Sequence, residues 1–495
     1  MKNVKKLMAM VIVVILAVMV FPITAGAATI KNDDNVSINV DCSKKGYTFE
    51  IYQVATLVST TSNPYETKYK SNVPEVNANI LAGDSKTALS TLDGIETLPS
   101  TAKSYGTFDT DKATTKTFNN LPQGIYYIRA IEYPADVQKI ENSILALPYY
   151  TSANGWVYSY KNINLAEKVV EGPPETHKII TNSTKDNVNF TDVSLGDTVN
   201  FELINTITGS KQIRLNKYTV YDDMSKGLTL NKNSFKVYLA DANNNKLSEV
   251  TEFKMTVTSE GEGMATSFNV ALSSTFLKKD AFYEAAKVIV DYSAVLNKHS
   301  VVGKEGNPNT DVKLEYGNRS KTAFVQGNTV YVYTYVIGAT KYDENKHFLA
   351  GAKFALYKTK DDAENSRNAF ASGTSDSDGR VDFYTVANNE PIRLQSGTYY
   401  MAETEAPEGY NLYGKVITIS IDATYFQTIT QGTYVNQCPK EGRATVSVTN
   451  FKGFTPKTGG HVMQVMVFGV GLVVVSGGIL AGLFFYKKKK KNAEK

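Results

Sequence analysis

The sequence predicts an all-β chain of tandem sandwich domains, and three observations carry that expectation. The body alternates rather than coils: "TVYVYTYVIGAT", "KVITISID" and "ATVSVTN" are period-two runs of Val, Ile, Thr and Tyr, broken by Gly, Asn and Asp turns. Thirty-one tyrosines against a single tryptophan suit half-buried sheet surfaces. The stretch between residues 28 and 452 is too long for one hydrophobic core. Three immunoglobulin-like β-sandwich domains in series are the expected solution.

Taken in order, the chain opens with Lys2, Lys5 and Lys6, an apolar block from Leu7 to Phe21, and a small-residue site at Ala25 and Ala27. That pattern predicts a signal peptide over 1–27, which would export the rest of the chain. A first domain over 28–170 ends at "VVEGPPETHK" (Val169 to Lys178), whose Pro-Pro pair reads as an extended connector. A middle domain spans 171–328, with a softer boundary near Arg319 to Thr329, and a third spans 329–452. The first and third look like divergent copies of one strand pattern. "YTFEIYQVA" (Tyr47 to Ala55) echoes "AKFALYKTK" (Ala352 to Lys360), and "LPQGIYYIRA" (Leu121 to Ala130) echoes "LQSGTYYMAE" (Leu394 to Glu403). A short motif over 453–461 precedes an uncharged apolar run over 462–486, long enough to cross ~30 Å of hydrocarbon as a helix. The tail over 487–495, with Lys487 to Lys491, should stay cytoplasmic.

Composition narrows the function. The two cysteines, Cys42 and Cys438, are far apart, so no disulfide framework holds this exported chain together. The net charge of +4 comes partly from the terminal lysine clusters, and no basic stripe suggests nucleic acid. The four histidines form no metal-spaced pair, and no nucleophile elbow or phosphate-cradling loop is present. No metal, cofactor or enzymatic activity on an outside substrate is expected.

The informative constellation lies in the third domain. Lys341 sits on the opening strand, in "VIGATKYD". Ala444, Val446, Val448 and Asn450 share one strand face by alternation, as do Tyr399, Met401 and Glu403. A lysine, a glutamate and an asparagine pointing into one sandwich core would be costly as charges. "YYMAETEAPEGYNLY" resembles the Y-x-L-x-E-x-x-A-P-x-G-Y signature of collagen-adhesin B-type domains, with Met401 where Leu is usual. The resemblance implies a self-made isopeptide bond, in which the lysine amine attacks the asparagine amide and ammonia leaves. The implied triad is Lys341, Asn450 and the assisting acid Glu403. Burial lowers the pKa of the lysine and raises that of the acid, and the fold replaces a bimolecular encounter.

The middle domain resembles the central domain of sortase-assembled major pilins, on "THKII", "YTVYDDMSKGLTL" and a late asparagine. Matched by position these give Lys178, the acid Asp222 and Asn318, with Asp223 and Asn309 as alternatives. Val312, Leu314, Tyr316 and Asn318 share a face, as in the third domain. The first domain should lack the bond: Ala130 aligns with Glu403, and its opening strand has no matching lysine.

"TPKTG" (Thr455, Pro456, Lys457, Thr458, Gly459) resembles the L-P-x-T-G signal read by sortases, with Thr455 in place of leucine. Pro456 bends the chain and Gly459 permits close approach to a catalytic cysteine. The resemblance implies a cut after Thr458 and transfer of Thr458 to an amine. In major pilins that amine is a lysine closing the first domain. Here "GWVYSYKNINLAEKVV" offers Lys168, with Glu167 where proline is usual and Lys161 as competitor. The implied reading is the shaft subunit of a wall-anchored pilus. Its implied partners are a pilus-class sortase, further copies of itself, peptidoglycan or its precursor and, before sorting, the membrane. The alternative is a monomeric wall-anchored adhesin or a minor pilin at tip or base.

Overall fold

The computed structural model describes residue 30 and residues 35–58, 68–77, 84–151, 153–185, 187–310, 312–421, 426–430, 433–437 and 442–453. The expected signal peptide, the sorting residues from Thr455 to Gly459, the membrane helix and the basic tail lie outside them. Within them the chain is overwhelmingly β, and its sheets fall into three sets along the sequence.

The first set pairs a three-stranded sheet (Ser159–Asn164, Val36–Asp41, Thr115–Leu121) with a five-stranded one built on Thr48–Val58 and Gly124–Glu132. Val36, Ile38 and Val40 alternate inward from the first sheet and meet Phe49, Ile51, Tyr126 and Ile128 from the second. The period-two pattern is therefore the sandwich core itself. A helix absent from the sequence expectation, Ser85–Asp93, covers the outer side. Asp84 caps it by accepting the Thr87 N–H at 3.0 Å, and Ala88 and Leu92, four residues apart, are buried.

In the middle set, a five-stranded sheet (Thr176–Ile180, Thr198–Thr206, Lys287–Leu296, Leu228–Ala240, Lys246–Val250) faces a larger sheet containing Lys217–Met224, Thr266–Leu272 and Asn307–Asn309. Val199, Phe201 and Leu203 from one side meet Tyr218, Val220, Phe268 and Val270 from the other. Val330–Tyr333 pairs with Asn307–Asn309 and, in parallel, with Phe190–Asp192. That strand begins beyond the expected boundary at 328, yet hydrogen bonds tie it to the middle sheet.

The third set joins Arg380–Asp382, Val336–Tyr342 and Arg443–Thr449 in one sheet, opposite a five-stranded sheet that includes Lys353–Tyr357 and Gly397–Glu405. First and last strands pair in parallel, Val336–Tyr342 with Arg443–Thr449, just as Val36–Asp41 pairs with Ser159–Asn164. The three sets also grip one another. Ala135 of the first packs in the middle core, Ile213 of the middle packs in the first, and Phe190 packs in the third. Arg393 Nε donates to Ser300 O at 3.0 Å across the second junction.

Candidate functional site

Two buried constellations stand out, one in each of the last two cores. In the third, parallel pairing sets Lys341 opposite Val448, so Asn450, two residues on, shares the inward face of the lysine. The Asn450 N–H donates to Tyr342 O at 3.0 Å, continuing the ladder one step past the last strand. The facing sheet pairs Phe354 with Glu403 and so aims the carboxyl at the same spot. All three side chains are buried: Lys341 is 0%, Asn450 1% and Glu403 5% exposed.

The contacts there are unequal. Asn450 Nδ2 donates to both oxygens of Glu403, at 2.8 and 2.9 Å, and the Tyr413 N–H donates to Oε2. Lys341 Nζ donates to the Tyr342 carbonyl at 3.1 Å. Burial pulls the Lys341 pKa down to about 8, against the opposing charges of Glu403 and Asp343. Burial also raises Glu403, although the Tyr413 N–H, the Asn450 amide and Lys341 favour its charged form. Asn450 Oδ1 has no hydrogen-bond partner among the described residues, a costly state for a buried acceptor. The set thus holds an amine whose pKa is lowered, an acid whose pKa is raised and an amide with its oxygen unengaged.

In the middle core, Lys178 alternates inward with Thr176 and Ile180. Asp222 faces in while Asp223 is exposed, so of the two acids Asp222 is the one that meets Lys178. Asn309 sits opposite Met224, two residues along from Asp222, and shares its inward face. Tyr292 comes from the other sheet, opposite Phe201. Lys178 Nζ donates to Asp222 Oδ1, to Thr310 O and, at 2.6 Å, to Asn309 Oδ1. Tyr292 OH donates to Asp222 Oδ2 at 2.6 Å and accepts from Asn309 Nδ2. Burial raises the pKa of Asp222, with the Lys178 charge and its hydrogen bonds opposing. Burial, followed by the charge of Asp222, holds Tyr292 well above the ordinary phenol range, so it stays a neutral hydroxyl.

Asn318 is therefore corrected: it does not meet Lys178. The alternation is real, since Val312, Leu314, Tyr316 and Asn318 are all buried. But the strand ends at Gly317, and Asn318 turns away toward the first sheet set. Its Nδ2 donates to Pro134 O at 2.7 Å, while its Oδ1 accepts the Ser320 and Lys321 N–H groups. It caps a turn at a junction. Asn309, the alternative asparagine, is the one that meets Lys178. Nearby Asn307 is spent on backbone, donating to Val301 O and Val332 O and accepting the Val301 N–H.

The first core holds the same geometry without the chemistry. Val40 pairs with Ile163, and the Leu165 N–H donates to Asp41 O at 2.8 Å, matching Lys341, Asn450 and Tyr342 step for step. Ala130 pairs with Phe49 as Glu403 pairs with Phe354. Valine, alanine and leucine fill the three places, all buried in one apolar cluster.

In the middle core the amine lies against the amide oxygen, and in the third the acid lies against the amide nitrogen; in either, an amine attacking Cγ can expel ammonia. The Nζ–Cγ bond forms, the Cγ–Nδ2 bond breaks, and one proton moves from Nζ to the leaving nitrogen. Low dielectric favours the neutral amine and neutral acid over the ion pair, which is the protonation state this attack needs.

Lys168 lies in a single turn, Ala166–Lys168, directly after buried Leu165, and is half-exposed with no ion-pair partner among the described residues. Lys161 is exposed on the strand before it. Trp156 packs edge-on against Tyr150, ring centroids 5.4 Å apart, on a short hairpin. Cys42 is buried, and Cys438 and Thr458 lie outside the described residues.

Residues 195–320 match the family model of the Gram-positive pilin backbone subunit 2, Cna-B-like domain, and residues 336–434 match SpaA, a prealbumin-like fold domain. The trypsin-resistant surface T6 protein of Streptococcus pyogenes serotype M6 is 28% identical over 281 residues, covering 52% of this chain and 46% of the relative. The chain thus spans about half the length of that curated relative. Among solved structures, the full-length RrgB pilus protein of Streptococcus pneumoniae aligns with a TM-score of 0.50 at 16% identity, over 88% of this chain and 100% of that one. The T6 backbone pilin of serotype M6 Streptococcus pyogenes gives 0.49 at 19% identity, over 86% and 100%. The RrgB likeness shows a shared fold.

Proposed function

We propose that this chain, which carries Gram-positive pilin backbone and prealbumin-like domains, is the repeating shaft subunit of a sortase-polymerised pilus on the cell wall. The observation that carries the reading is the enclosure of a lysine, a carboxyl and an asparagine in two successive sandwich cores. The subunit would consist of modules near 28–170, 171–328 and 329–452. The second and third would be locked by Lys178–Asn309 and Lys341–Asn450 bonds, assisted by Asp222 and Glu403. Covalent ties of this kind suit an exported fibre that has no disulfide framework.

Polymerisation would use the two ends. A sortase would cut after Thr458, hold it as a thioester, and pass it to Lys168 of the next copy or to a peptidoglycan amine. The half-exposed turn after Leu165 supports Lys168, because an enzyme thioester needs an amine outside the sandwich. The contact is heterologous and does not close, so its product is a filament. Immunoblotting of wall extracts tests this: a ladder of high-mass species is expected, and a single band would identify an anchored monomer instead.

Glu403→Ala should leave the third domain folded but unlinked. Stability should fall by about 4–5 kcal/mol in the loop model, as on removing a disulfide that closes a loop of this size in the unfolded chain. Tandem mass spectrometry checks it. A Lys341–Asn450 linked peptide persisting in Glu403→Ala at the wild-type level would show that this acid is dispensable.

A further inference from the structure

We propose that Tyr292 is a catalytic residue of the middle-domain reaction, passing a proton between Asp222 and the departing nitrogen of Asn309. The inference rests on the Lys178–Asn309 cross-link proposed above. Its ground is a difference between the two constellations in which atom meets the leaving group.

In the third core the acid reaches the leaving group directly, since both oxygens of Glu403 accept from Asn450 Nδ2. Aspartate is one methylene shorter. Asp222 commits Oδ1 to Lys178 Nζ and Oδ2 to the Tyr292 hydroxyl, and among the described residues it makes no hydrogen bond to Asn309. The Tyr292 oxygen, not the carboxylate, accepts from Asn309 Nδ2. The hydroxyl thus fills the gap that the shorter acid leaves.

It is also held there. The Tyr292 ring stacks on Phe201 and Phe235, with centroids 5.1 and 5.5 Å away, and meets Phe268 edge-on at 5.0 Å. Three aromatic rings from both sheets thereby fix one hydroxyl between acid and amide. A hydroxyl both donates and accepts, so it can pass a proton without ionising.

Every proton in the reaction has a donor and an acceptor among these groups. Neutral Lys178 Nζ attacks Asn309 Cγ, the Nζ–Cγ bond forms, and the carbonyl electron pair moves onto Oδ1. Loss of amide planarity gives Nδ2 a lone pair, turning it from donor to acceptor. Nδ2 takes the Tyr292 proton while Tyr292 takes the proton of the Asp222 acid. Asp222, now a carboxylate, recovers a proton from the cationic Nζ. Oδ1 then re-forms the carbonyl, and the Cγ–Nδ2 pair leaves with ammonia. Tyr292 and Asp222 end as they began.

Tyr292→Phe in the full chain is the test, with the protein made by cell-free translation and sampled over time. The Lys178–Asn309 peptide is quantified against the Lys341–Asn450 peptide of the same molecules. General acid assistance contributes about 10²–10⁴-fold, so the middle bond should form at least about tenfold more slowly, while the third-domain bond keeps its rate. A hydroxyl that merely satisfies buried polar atoms would leave that rate unchanged, and an unchanged rate overturns the proposal. Should the phenylalanine variant not fold, wild-type chain made in heavy water carries the test. The relay moves one proton more than direct transfer does, so the middle bond should be slowed more than the third-domain bond, and equal slowing overturns it. If wild-type protein shows no Lys178–Asn309 peptide at all, the cross-link reading fails, whatever Tyr292 does.

Discussion

Asn309→Ala should lower the unfolding temperature of the middle domain by roughly 8–20 °C while leaving the fold intact. The bond would span a sequence separation of 131 residues. Closing a loop of this size removes about 4–5 kcal/mol of unfolded-chain entropy in the loop model. At about 2–4 °C per kcal/mol for a domain of this size, that gives the stated shift. Lys178 and Asp222 still face each other in this variant, so no uncompensated charge is added. Lys178→Ala should be worse, because it also removes the Nζ hydrogen bond to a carboxyl that is 1% exposed, and a buried acceptor left unsatisfied costs about 1–3 kcal/mol more. Calorimetry of both variants checks the order. If Asn309→Ala melts at the wild-type temperature and Asn318→Ala does not, the geometric assignment is wrong.

Lys168→Ala should abolish the high-mass ladder and leave monomer on the wall, because Thr458 can still be transferred to a wall amine. The structural ground is position. Lys168 follows buried Leu165 in a half-exposed turn, at the end of the first sheet set and before the Pro-Pro connector. Lys178 and Lys341 are fully buried and unreachable by an enzyme thioester. Lys161→Ala should change nothing. A ladder that survives Lys168→Ala but vanishes with Lys161→Ala would move the junction to the strand. A ladder that survives both would remove this segment from the linkage.

The third-domain site is legible in the sequence because its residues lie on or next to long alternating strands. Parity over Arg443–Thr449 and Gly397–Glu405 carries Asn450 and Glu403 inward, and the surrounding motif singles them out. The same parity misleads in the middle domain. It predicts correctly that Asn318 is buried, but burial at a junction is not burial beside Lys178. Asn309 sits on a three-residue strand behind Pro308, too short for alternation to speak. The near symmetry of Asn307 and Asn309 around that proline is the available signal. Asp222 can be preferred to Asp223 by pattern alone, since Tyr218, Val220, Asp222 and Met224 form one face. Tyr292 carries no mark among thirty-one tyrosines, because its position comes from pairing between distant strands. The helix Ser85–Asp93 escapes the sequence reading although Asp84 and Gly94 bracket it as caps. Its nine residues form a short helix in a chain otherwise dominated by period two.

The decisive measurement is the intact mass of the purified exported body, residues 28 to 452. Two internal cross-links require a mass below the sequence value by two molecules of ammonia, with tandem spectra showing Lys178 joined to Asn309 and Lys341 joined to Asn450. An intact mass equal to the sequence value would mean that neither bond forms, and that the two buried constellations are packing alone.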